Sequence, residues 1–302
     1  MTALFASARA AADTAAAAQH YPQASLYVTA TPIGNLADIT LRALHVLGLV
    51  DAIACEDTRH TQALLRAYGI DKPLLALHEH NEIEAAQGIC ERLAAGQRVA
   101  YVSDAGTPAV SDPGARLVAA VRTRGFRVLP LPGASSVTTA ISVAGLDGGS
   151  GFVFAGFLPS KATERTAAVQ ALADETRAVV LLEAPHRIEA LAGALAALAG
   201  RMVTIGRELT KQFEEIATVE AAGFPTWLAA SPQRVRGEFV LVLHPAVTAE
   251  PSANADTRVL RLLLEALPLN AAVKLASQIT GSPRNALYAT ALTIRDQPDV
   301  GA

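Results

Sequence analysis

The sequence predicts two α/β domains followed by a small helical unit, and three observations support this fold class. Short, continuously apolar runs alternate with segments of helical periodicity, which is typical of a parallel sheet covered by helices on both faces. A cluster of chain breakers at residues 145–151 interrupts the alternation and indicates a domain boundary. A segment rich in Pro, Ala and Ser at residues 245–255 precedes a purely helical pattern. We therefore expect α/β domains at 25–147 and 148–246, and a linker with a helical tail at 247–302.

Residues 1–24 form an Ala-rich extension in which Arg9 is the only basic residue. The extension lacks the charged start and the sustained apolar core of a secretory signal, and organelle transit peptides carry more Arg. Chain termini seldom become ordered unless another part of the fold holds them. A disordered, frayed or weakly helical extension is therefore the expectation for this segment.

The first α/β domain contains five apolar runs that predict strands, with helical patterns between them. The predicted strands cover residues 26–30, 52–55, 74–78, 99–103 and 128–131. Because a strand–helix–strand connection pairs strands in parallel, we expect a parallel sheet.

The second α/β domain shows five further apolar runs, at 152–157, 179–182, 202–205, 215–219 and 239–243. Helical patterns at 164–172 and 188–198 separate the earlier runs. The spacing between Met202 and Val219 is too short for a helix, so we expect a mixed sheet.

The tail shows helical patterns at 258–267, 271–279 and 284–294. Pro283 suits the start of the last helix. The arrangement resembles a small helix-turn-helix unit, which either binds nucleic acid or simply packs; packing is the more frequent outcome for such a pattern alone.

The composition excludes several classes of protein. The chain has 302 residues, 51% of them hydrophobic and 18% charged, with a net charge of −3, so it is neither a disordered acidic tail nor a basic nucleic-acid coat. Any RNA site must then be a local patch of Lys and Arg. Cys55 and Cys90 do not form a CxxC pair, which argues against a disulfide framework or a zinc site and fits a reducing compartment. No apolar run reaches the roughly 18 residues of a membrane-spanning helix.

Turns rich in Gly and Pro follow two predicted strands, at the end of a parallel sheet where ligands bind. Gly34 permits close backbone approach after the first strand, although the turn matches neither the dinucleotide nor the P-loop fingerprint. After the fourth strand, Gly106 and Pro108 fix the backbone contour, and Asp104 offers a carboxylate to a ligand amine or hydroxyl. Each turn taken alone is also typical of an ordinary connection.

Capping residues are expected at two helix starts near these turns. Asp112 would cap a helix that begins at Pro113. Ser135 or Ser136 would cap the helix after the fifth strand, where free amides could also hold a carboxylate. Capping alone is the commoner role of such serines.

Three charged clusters follow predicted strands, at residues 56–59, 183–187 and 207–215. A run of charges is usually a solvated face. The cluster at 183–187 brings a carboxylate (Glu183), an imidazole (His186) and a guanidinium (Arg187) together within five residues. Their common position at strand ends favours a functional site.

These segments together resemble the tetrapyrrole methylase-like superfamily of methyltransferases and, within it, the 16S ribosomal RNA cytidine 2′-O-methyltransferases. The resemblance is carried by Val28-Thr-Ala-Thr-Pro-Ile-Gly-Asn-Leu-Ala-Asp-Ile-Thr40, Cys55-Glu-Asp-Thr-Arg59, Val102-Ser-Asp-Ala-Gly-Thr-Pro108, Ser111-Asp-Pro-Gly114, Pro132-Gly-Ala-Ser-Ser136, Glu183-Ala-Pro-His-Arg187, Arg207-Glu-Leu-Thr-Lys211 and Arg236-Gly-Glu-Phe239. It runs from about residue 25 to residue 244, and the tail is also family-like.

The resemblance implies two α/β domains with S-adenosyl-L-methionine in the cleft between them, a homodimer and no metal. The implied cofactor contacts are Pro32, Gly34, Asp104, Gly106, Thr107, Pro108, Val110, Ser135, Ser136 and Leu182. Leu182 stands where many relatives have an aromatic residue, so that side of the pocket departs from the family pattern.

The implied reaction moves a methyl group from a sulfonium to a ribose 2′-hydroxyl, which requires alignment and removal of the hydroxyl proton. Glu183 and His186 are the candidates for the general base, ahead of Glu56 and Glu208. Lys211 would polarise the hydroxyl or hold a phosphate. RNA contacts are expected from Arg59, Arg187, Arg207 and Lys211. The implied partner is 16S ribosomal RNA within the small ribosomal subunit, in the cytoplasm, with no DNA or membrane partner.

Three alternative functions each require different sequence features. A tetrapyrrole or other small-molecule methyltransferase shares the architecture, but a macrocycle site should be largely apolar, whereas the second domain carries charged clusters. A non-catalytic RNA-binding assembly protein would use the tail and would not bind the cofactor. A nicotinamide oxidoreductase is disfavoured because its glycine fingerprint is absent.

Overall fold

The computed structural model describes residues 5–78, 81–146, 151–246 and 253–296, and the chain divides into a first unit that ends at Pro245 and a second that begins at Ala246. The first unit contains two five-stranded sheets. Its elements in chain order are α1 (Ala6–Ala16), β1 (Ser25–Thr29), α2 (Leu41–Leu49), β2 (Ala52–Cys55), α3 (Thr58–Ala67), β3 (Leu74–Ala76), α4 (Glu82–Ala94), β4 (Arg98–Val102), α5 (Ala115–Thr123), β5 (Arg127–Leu131), α6 (Ser136–Val143), β6 (Phe152–Phe157), α7 (Ala162–Ala171), β7 (Ala178–Glu183), α8 (Ile188–Leu195), β8 (Met202–Arg207), β9 (Glu215–Glu220), α9 (Phe224–Ala229) and β10 (Phe239–Leu243).

The first sheet is parallel throughout, with the strand order β3-β2-β4-β1-β5, as the sequence predicts. All four residues of β2 are buried because helices cover both faces of the sheet. The edge strand β3 ends at Ala76, earlier than predicted. The Asn81 side chain explains this, because it accepts a hydrogen bond from the His78 amide at 2.8 Å and donates one to the Ala76 carbonyl at 3.1 Å.

Right-handed crossovers determine which helices lie on which face of the first sheet. The connections β1–β2 and β2–β3 cross the sheet in one direction, and β3–β4 and β4–β5 cross it in the other. Accordingly Leu47 of α2 and Leu65 of α3 share one core, whereas Ile89 of α4 and Leu117 of α5 share the other. The chain therefore leaves the neighbouring strands β1 and β4 toward opposite faces, which opens a crevice at their carboxyl ends.

The N-terminal extension contains an ordered helix, so the expectation of a disordered or frayed segment is wrong for α1. Ala12 of this helix is fully buried in the core next to α2. Asp13 Oδ1 lies 2.8 Å from His45 Nδ1, and the Phe5 amide donates to the Ala67 carbonyl at 3.1 Å. The Arg9 guanidinium lies over Gly48, where a Cβ atom would be only 2.3 Å from it.

The second sheet is mixed, as predicted, with the strand order β6-β7-β10-β8-β9. Only β6 and β7 pair in parallel; β7–β10, β10–β8 and β8–β9 are antiparallel. One face is covered by α7, α8 and α9, through residues such as Leu191 and Phe224.

The opposite face of the second sheet is covered by α6, which lies in the first predicted domain. Val137 and Ala140 of α6 form one core with Val180 of β7 and Val242 of β10. The two halves of the first unit therefore share a hydrophobic core. The division into domains at 25–147 and 148–246 stays a prediction, and part of its boundary lies outside the described residues.

The second unit consists of α10 (Ala253–Ala266), α11 (Leu269–Thr280) and α12 (Arg284–Asp296), so the three predicted tail helices are confirmed. Leu260, Val273 and Leu287 bring one residue from each helix into a small core. Gly281 ends α11 with a φ of 75°, which glycine adopts without strain. Within the described ranges, no helix of the protein is long and apolar enough to cross a bilayer.

Candidate active site

A cavity of about 340 Å³ lies between the carboxyl end of the first sheet and the strands β6, β7 and β10 of the second. Its volume is in the range of small-molecule sites. The wall comprises Ala105, Gly106, Thr107, Val110, Ser111, Asp112, Ser135, Ser136, Val137, Phe154, Phe157, Leu182, Glu183, Ala184, Pro185, Glu238, Phe239 and Val240.

The loops that follow β1, β4 and β5 are tied to one another at the cavity. Thr31 and Gly106 exchange two backbone hydrogen bonds, of 2.9 and 3.0 Å, and the Thr107 hydroxyl donates to the Ala134 carbonyl at 3.2 Å. Gly106 has a φ of +77°, and a Cβ atom on it would lie 3.3 Å from Ile33 Cγ2. The site is therefore held by backbone contacts between loops that leave neighbouring strands.

The start of α6 leaves its serines available to the cavity. Ser135 occupies the N-cap position, but its hydroxyl makes no capping bond to the described backbone, so the predicted cap by this side chain is wrong. Ser136 begins the helix, and both serines line the cavity. The first amides of a helix attract anions, so a ligand carboxylate would fit at this point.

Asp112 does not cap a helix, contrary to the prediction. Helix α5 begins at Ala115, and its cap comes from Glu82, whose Oε1 accepts from the amides of Gly114 and Arg116 at 3.0 Å each. Asp112 is instead one of the residues that line the cavity. Burial raises the pKa of Asp112, and the negative charge of Asp104 adds to this, although a hydrogen bond with Ser103 opposes it.

Glu183 presents a carboxylate oxygen that has no protein partner among the described residues. Its side chain is buried at the end of β7 and lines the cavity. Oε1 accepts from the Ala184 amide at 2.9 Å and lies 3.0 Å from Arg187 Nε. Oε2 is buried and makes no hydrogen bond within the described ranges. Buried polar atoms are rarely left unpaired, so this oxygen is a strong candidate for a ligand contact.

The charges on the cavity wall are all negative. Asp112, Glu183 and Glu238 contribute carboxylates, and no Lys, Arg or His is among the described residues that line it. Such a wall favours a cationic ligand and disfavours a phosphate.

Lys211 lies beside the cavity, in the loop between β8 and β9. Its Nζ is 2.8 Å from Glu208 Oε1 and 3.0 Å from Glu238 Oε2. Burial alone would lower the pKa of Lys211. The two carboxylates raise the pKa by more than burial lowers it, so the pKa of Lys211 is above its usual value. Lys211 is therefore a persistent cation and not a general base. Gly34 provides room for this side chain, because a Cβ on Gly34 would approach Lys211 Cγ to 2.4 Å.

The predicted cofactor residues divide into two groups. Those that line the cavity are Gly106, Thr107, Val110, Ser135, Ser136 and Leu182; those outside its wall are Pro32, Gly34, Asp104 and Pro108. Asp104 has another role, because its Oδ1 accepts from the Asp57 amide at 3.1 Å. Phe154 and Phe157 were not predicted from the sequence, and they add two aromatic residues to the pocket that Leu182 also lines.

The other predicted catalytic and RNA-binding residues are not gathered in one place. His186 is exposed and is not part of the cavity wall. Arg207 is 8% exposed; its guanidinium pairs with Glu215 at 3.3 Å and donates to two backbone carbonyls, so it serves the fold. Arg187 donates to the Leu158 carbonyl and faces Glu183. Arg59 has a side chain that is 90% exposed, beside Asp57.

The sequence and the structure are similar to those of known methyltransferases. The chain matches the family described as Tetrapyrrole (Corrin/Porphyrin) Methylases over residues 25–224 and the RsmI C-terminal HTH domain over residues 250–295. Ribosomal RNA small subunit methyltransferase I of Xylella fastidiosa (strain Temecula1) is 46% identical over 267 residues, which cover 87% of this chain and 97% of the relative.

Solved structures show the same fold at lower identity. A cobalt precorrin-4 methyltransferase of cobalamin biosynthesis aligns with a TM-score of 0.55 and 15% identity, covering 72% of this chain and 94% of that one. Uroporphyrin-III C-methyl transferase from Thermus thermophilus, complexed with S-adenyl homocysteine, aligns with a TM-score of 0.50 and 16% identity, covering 75% and 94%.

Proposed function

Because the chain belongs to the tetrapyrrole methylases and to the family of ribosomal RNA small subunit methyltransferase I, we propose that it methylates a ribose 2′-hydroxyl of a cytidine in 16S ribosomal RNA, with S-adenosyl-L-methionine as donor. The observation that supports this reaction best is the acidic cavity at the carboxyl end of the first sheet, with the unpartnered Oε2 of Glu183 at its wall.

The residues of the cavity fit this cofactor. S-adenosyl-L-methionine supplies a methyl group that is already activated on a positively charged sulfur. A wall with three carboxylates and no described cation suits that charge. Ser135 and Ser136 at the start of α6 would hold the carboxylate of the methionine portion. Phe154 and Phe157 offer apolar surface to the base.

Glu183 is the residue best placed to take the proton from the ribose hydroxyl. The Ala184 amide and the Arg187 guanidinium hold one oxygen of its carboxylate, which fixes the direction of the other. That second oxygen, Oε2, would accept the hydrogen bond from the hydroxyl and then its proton. His186 is less suited because it is exposed and away from the cavity wall.

Lys211 would contribute a positive charge to RNA binding. Its raised pKa keeps the ammonium group protonated, and its position next to Glu238 puts it at the edge of the cavity. There it would hold a phosphate or polarise the hydroxyl. Arg59 is an exposed candidate for a phosphate contact in the first unit, whereas the burial of Arg207 argues against a phosphate contact there.

The tail offers a second RNA-binding surface. A groove of about 310 Å³ between α11 and α12 is lined by Lys274, Arg284 and Tyr288, together with Asn270, Asn285 and Val273. The two cations suit phosphates, the tyrosine ring suits a stacked base, and the two amides suit base edges. We therefore assign the tail to substrate engagement and not to cofactor binding.

Transfer of tritiated methyl groups to small ribosomal subunits from a strain that lacks the gene tests the proposed function. Nuclease mapping of the labelled RNA is expected to find the label on a 2′-oxygen of one cytidine in 16S ribosomal RNA. Label on a base, or label accepted only by a tetrapyrrole, would overturn it. Comparison of naked RNA with whole subunits identifies the form of the substrate.

We also propose that the enzyme is a cytoplasmic homodimer, as its family resemblance implies. Light scattering during size exclusion is expected to give twice the chain mass of 31.3 kDa. A mass equal to that of one chain would contradict this part of the proposal.

A further inference from the structure

The carboxylates of the cavity wall differ in how far their charges are compensated. The charge of Glu238 is offset by Lys211 at 3.0 Å, and that of Glu183 by Arg187 at 3.0 Å. Asp112 has no ion pair in the part of the chain that the structure describes, and the charged group that acts on its pKa, Asp104, is also negative. Asp112 is therefore the least compensated charge at the cavity wall.

Asp112 makes a hydrogen bond with the side chain of Ser103 but does not cap a helix. A carboxylate in this turn would ordinarily cap the following helix, but Glu82 already occupies the amides of α5. On the other side of the cavity, Glu183 adds a buried oxygen without a partner among the described residues. Two acidic residues from different halves of the first unit thus line one space, and a positive charge bound there would stabilise both carboxylates.

The reaction changes the charge of the molecule in that space. When the carbon–sulfur bond breaks, the methyl group joins the ribose oxygen, the bonding electron pair stays on sulfur, and the hydroxyl proton leaves to a base. The positively charged sulfonium becomes a neutral thioether, while the amino acid and base portions are unchanged. An acidic wall stabilises the sulfonium but gains nothing from the thioether.

We propose, on the basis of the function proposed above, that Asp112 is a specificity-determining residue that makes the cavity bind the sulfonium cofactor in preference to its neutral thioether product. This preference promotes release of the product after each turnover. The raised pKa of Asp112 agrees with it, because burial and Asp104 destabilise the charged carboxylate in the absence of a neighbouring cation.

Isothermal titration calorimetry with S-adenosyl-L-methionine and with S-adenosyl-L-homocysteine tests this role directly. Asp112→Asn is expected to weaken binding of the sulfonium about threefold to tenfold and binding of the thioether less than about twofold, since only the sulfonium carries the additional charge. Asp112→Glu should restore much of the preference. Glu164→Gln is the charge-matched control, because Glu164 lies on the surface of α7 and pairs with Lys161.

The outcomes separate this inference from the proposed function. Equal weakening of both ligands by Asp112→Asn overturns the role of Asp112 and leaves the methyltransferase intact. Failure of the wild-type protein to bind either ligand overturns the proposed function itself.

If the asparagine variant does not fold, the salt dependence of ligand binding to the wild-type protein still tests the inference. Raising the ionic strength from about 0.01 M to about 1 M shortens the Debye length from about 30 Å to about 3 Å. It should weaken binding of the sulfonium more than binding of the thioether, and equal salt dependence overturns the inference.

Discussion

The two carboxylate oxygens of Glu183 differ in their contacts with the rest of the protein. The Ala184 amide and Arg187 engage Oε1, while Oε2 is buried without a partner among the described residues. Sequence reasoning identified Glu183 as a candidate base from its cluster at a strand end. The distinction between its two oxygens depends on tertiary contacts, which sequence spacing does not reveal.

Substitution Glu183→Gln is expected to preserve binding of the RNA, to weaken binding of the cationic cofactor modestly, and to lower the single-turnover rate at saturating cofactor about 10²–10⁴-fold. The amide keeps the shape of the carboxylate and still accepts from the Ala184 amide, but it cannot take a proton. Rapid-quench measurement with saturating cofactor checks this, with Glu189→Gln on the exposed face of α8 as a matched control. A normal rate in Glu183→Gln would remove this carboxylate from the mechanism and shift it to His186 or to positioning alone.

Substitution Gly106→Val is expected to abolish cofactor binding and to lower the free energy of unfolding by about 1–3 kcal/mol. The first effect arises because Gly106 lines the cavity and a Cβ atom there would lie 3.3 Å from Ile33 Cγ2, and the second because a β-branched residue is strained at a φ of +77°. Calorimetry and urea unfolding measure the two effects. Gly96→Val separates them, because Gly96 has a φ of +82° and no described atom lies within 4 Å of where its Cβ would stand. If both variants bind the cofactor equally well, Gly106 does not contact it.

The residue that caps a helix cannot always be predicted from the neighbouring sequence. Asp112 has the sequence position of a cap, yet α5 is capped by Glu82, which precedes Gly114 by 32 residues. Gly34 is predicted at the cofactor, and the structure adds a second role, because it makes room for Lys211 from the opposite half. Both roles depend on residues that are distant in sequence, so no local pattern could have predicted them.

At the scale of elements, the strands are the features that the sequence predicts best. The runs at 52–55, 152–157 and 239–243 coincide with β2, β6 and β10. Every residue of β2 and β10 is buried, and continuous burial leaves a continuous apolar pattern. The edge strand β6 is mostly exposed or half-buried, so burial does not explain its apolar run. The packing of helix α1 was not predicted, because an Ala-rich segment has the same composition whether it packs or frays. Its burial depends on the complementary surface of α2.

The tail is expected to bind RNA through the groove between α11 and α12. Lys274→Ala and Arg284→Ala should each weaken RNA binding and reduce the log–log salt slope by about 0.7 if each cation contacts one phosphate of a single strand. Cofactor affinity should not change. Fluorescence anisotropy of a labelled RNA fragment at several salt concentrations measures the slope. Arg261→Ala on α10, outside the groove, is the matched control. Unchanged slopes in both groove variants would mean that the tail has only a packing role.

At the scale of the whole molecule, α6 connects the two sheets of the first unit. It is reached directly from β5 of the first sheet, and it covers one face of the second sheet through Val137 and Ala140. Neither half can therefore bury all of its apolar surface without the other.

The two halves of the first unit are accordingly expected to unfold together. Trp227 is the only tryptophan in the sequence and lies in the second half. In urea, its fluorescence should change at the same midpoint as the amide-exchange protection of β1 and β4 is lost. The helices of the tail serve as an internal comparison, since they belong to a separate unit. Two distinct midpoints within the first unit would show that the shared core does not couple its halves.

The position of α6 also sets a rule for recombining this protein with its relatives. A chimera joined near residue 147, where the sequence suggests a boundary, would carry α6 from one parent and the sheet beneath it from the other. Val137, Ala140 and Ala144 would then meet side chains with which they did not evolve. A junction in the turn before Ser136 keeps the helix with its sheet, so libraries of hybrid enzymes should exchange segments there.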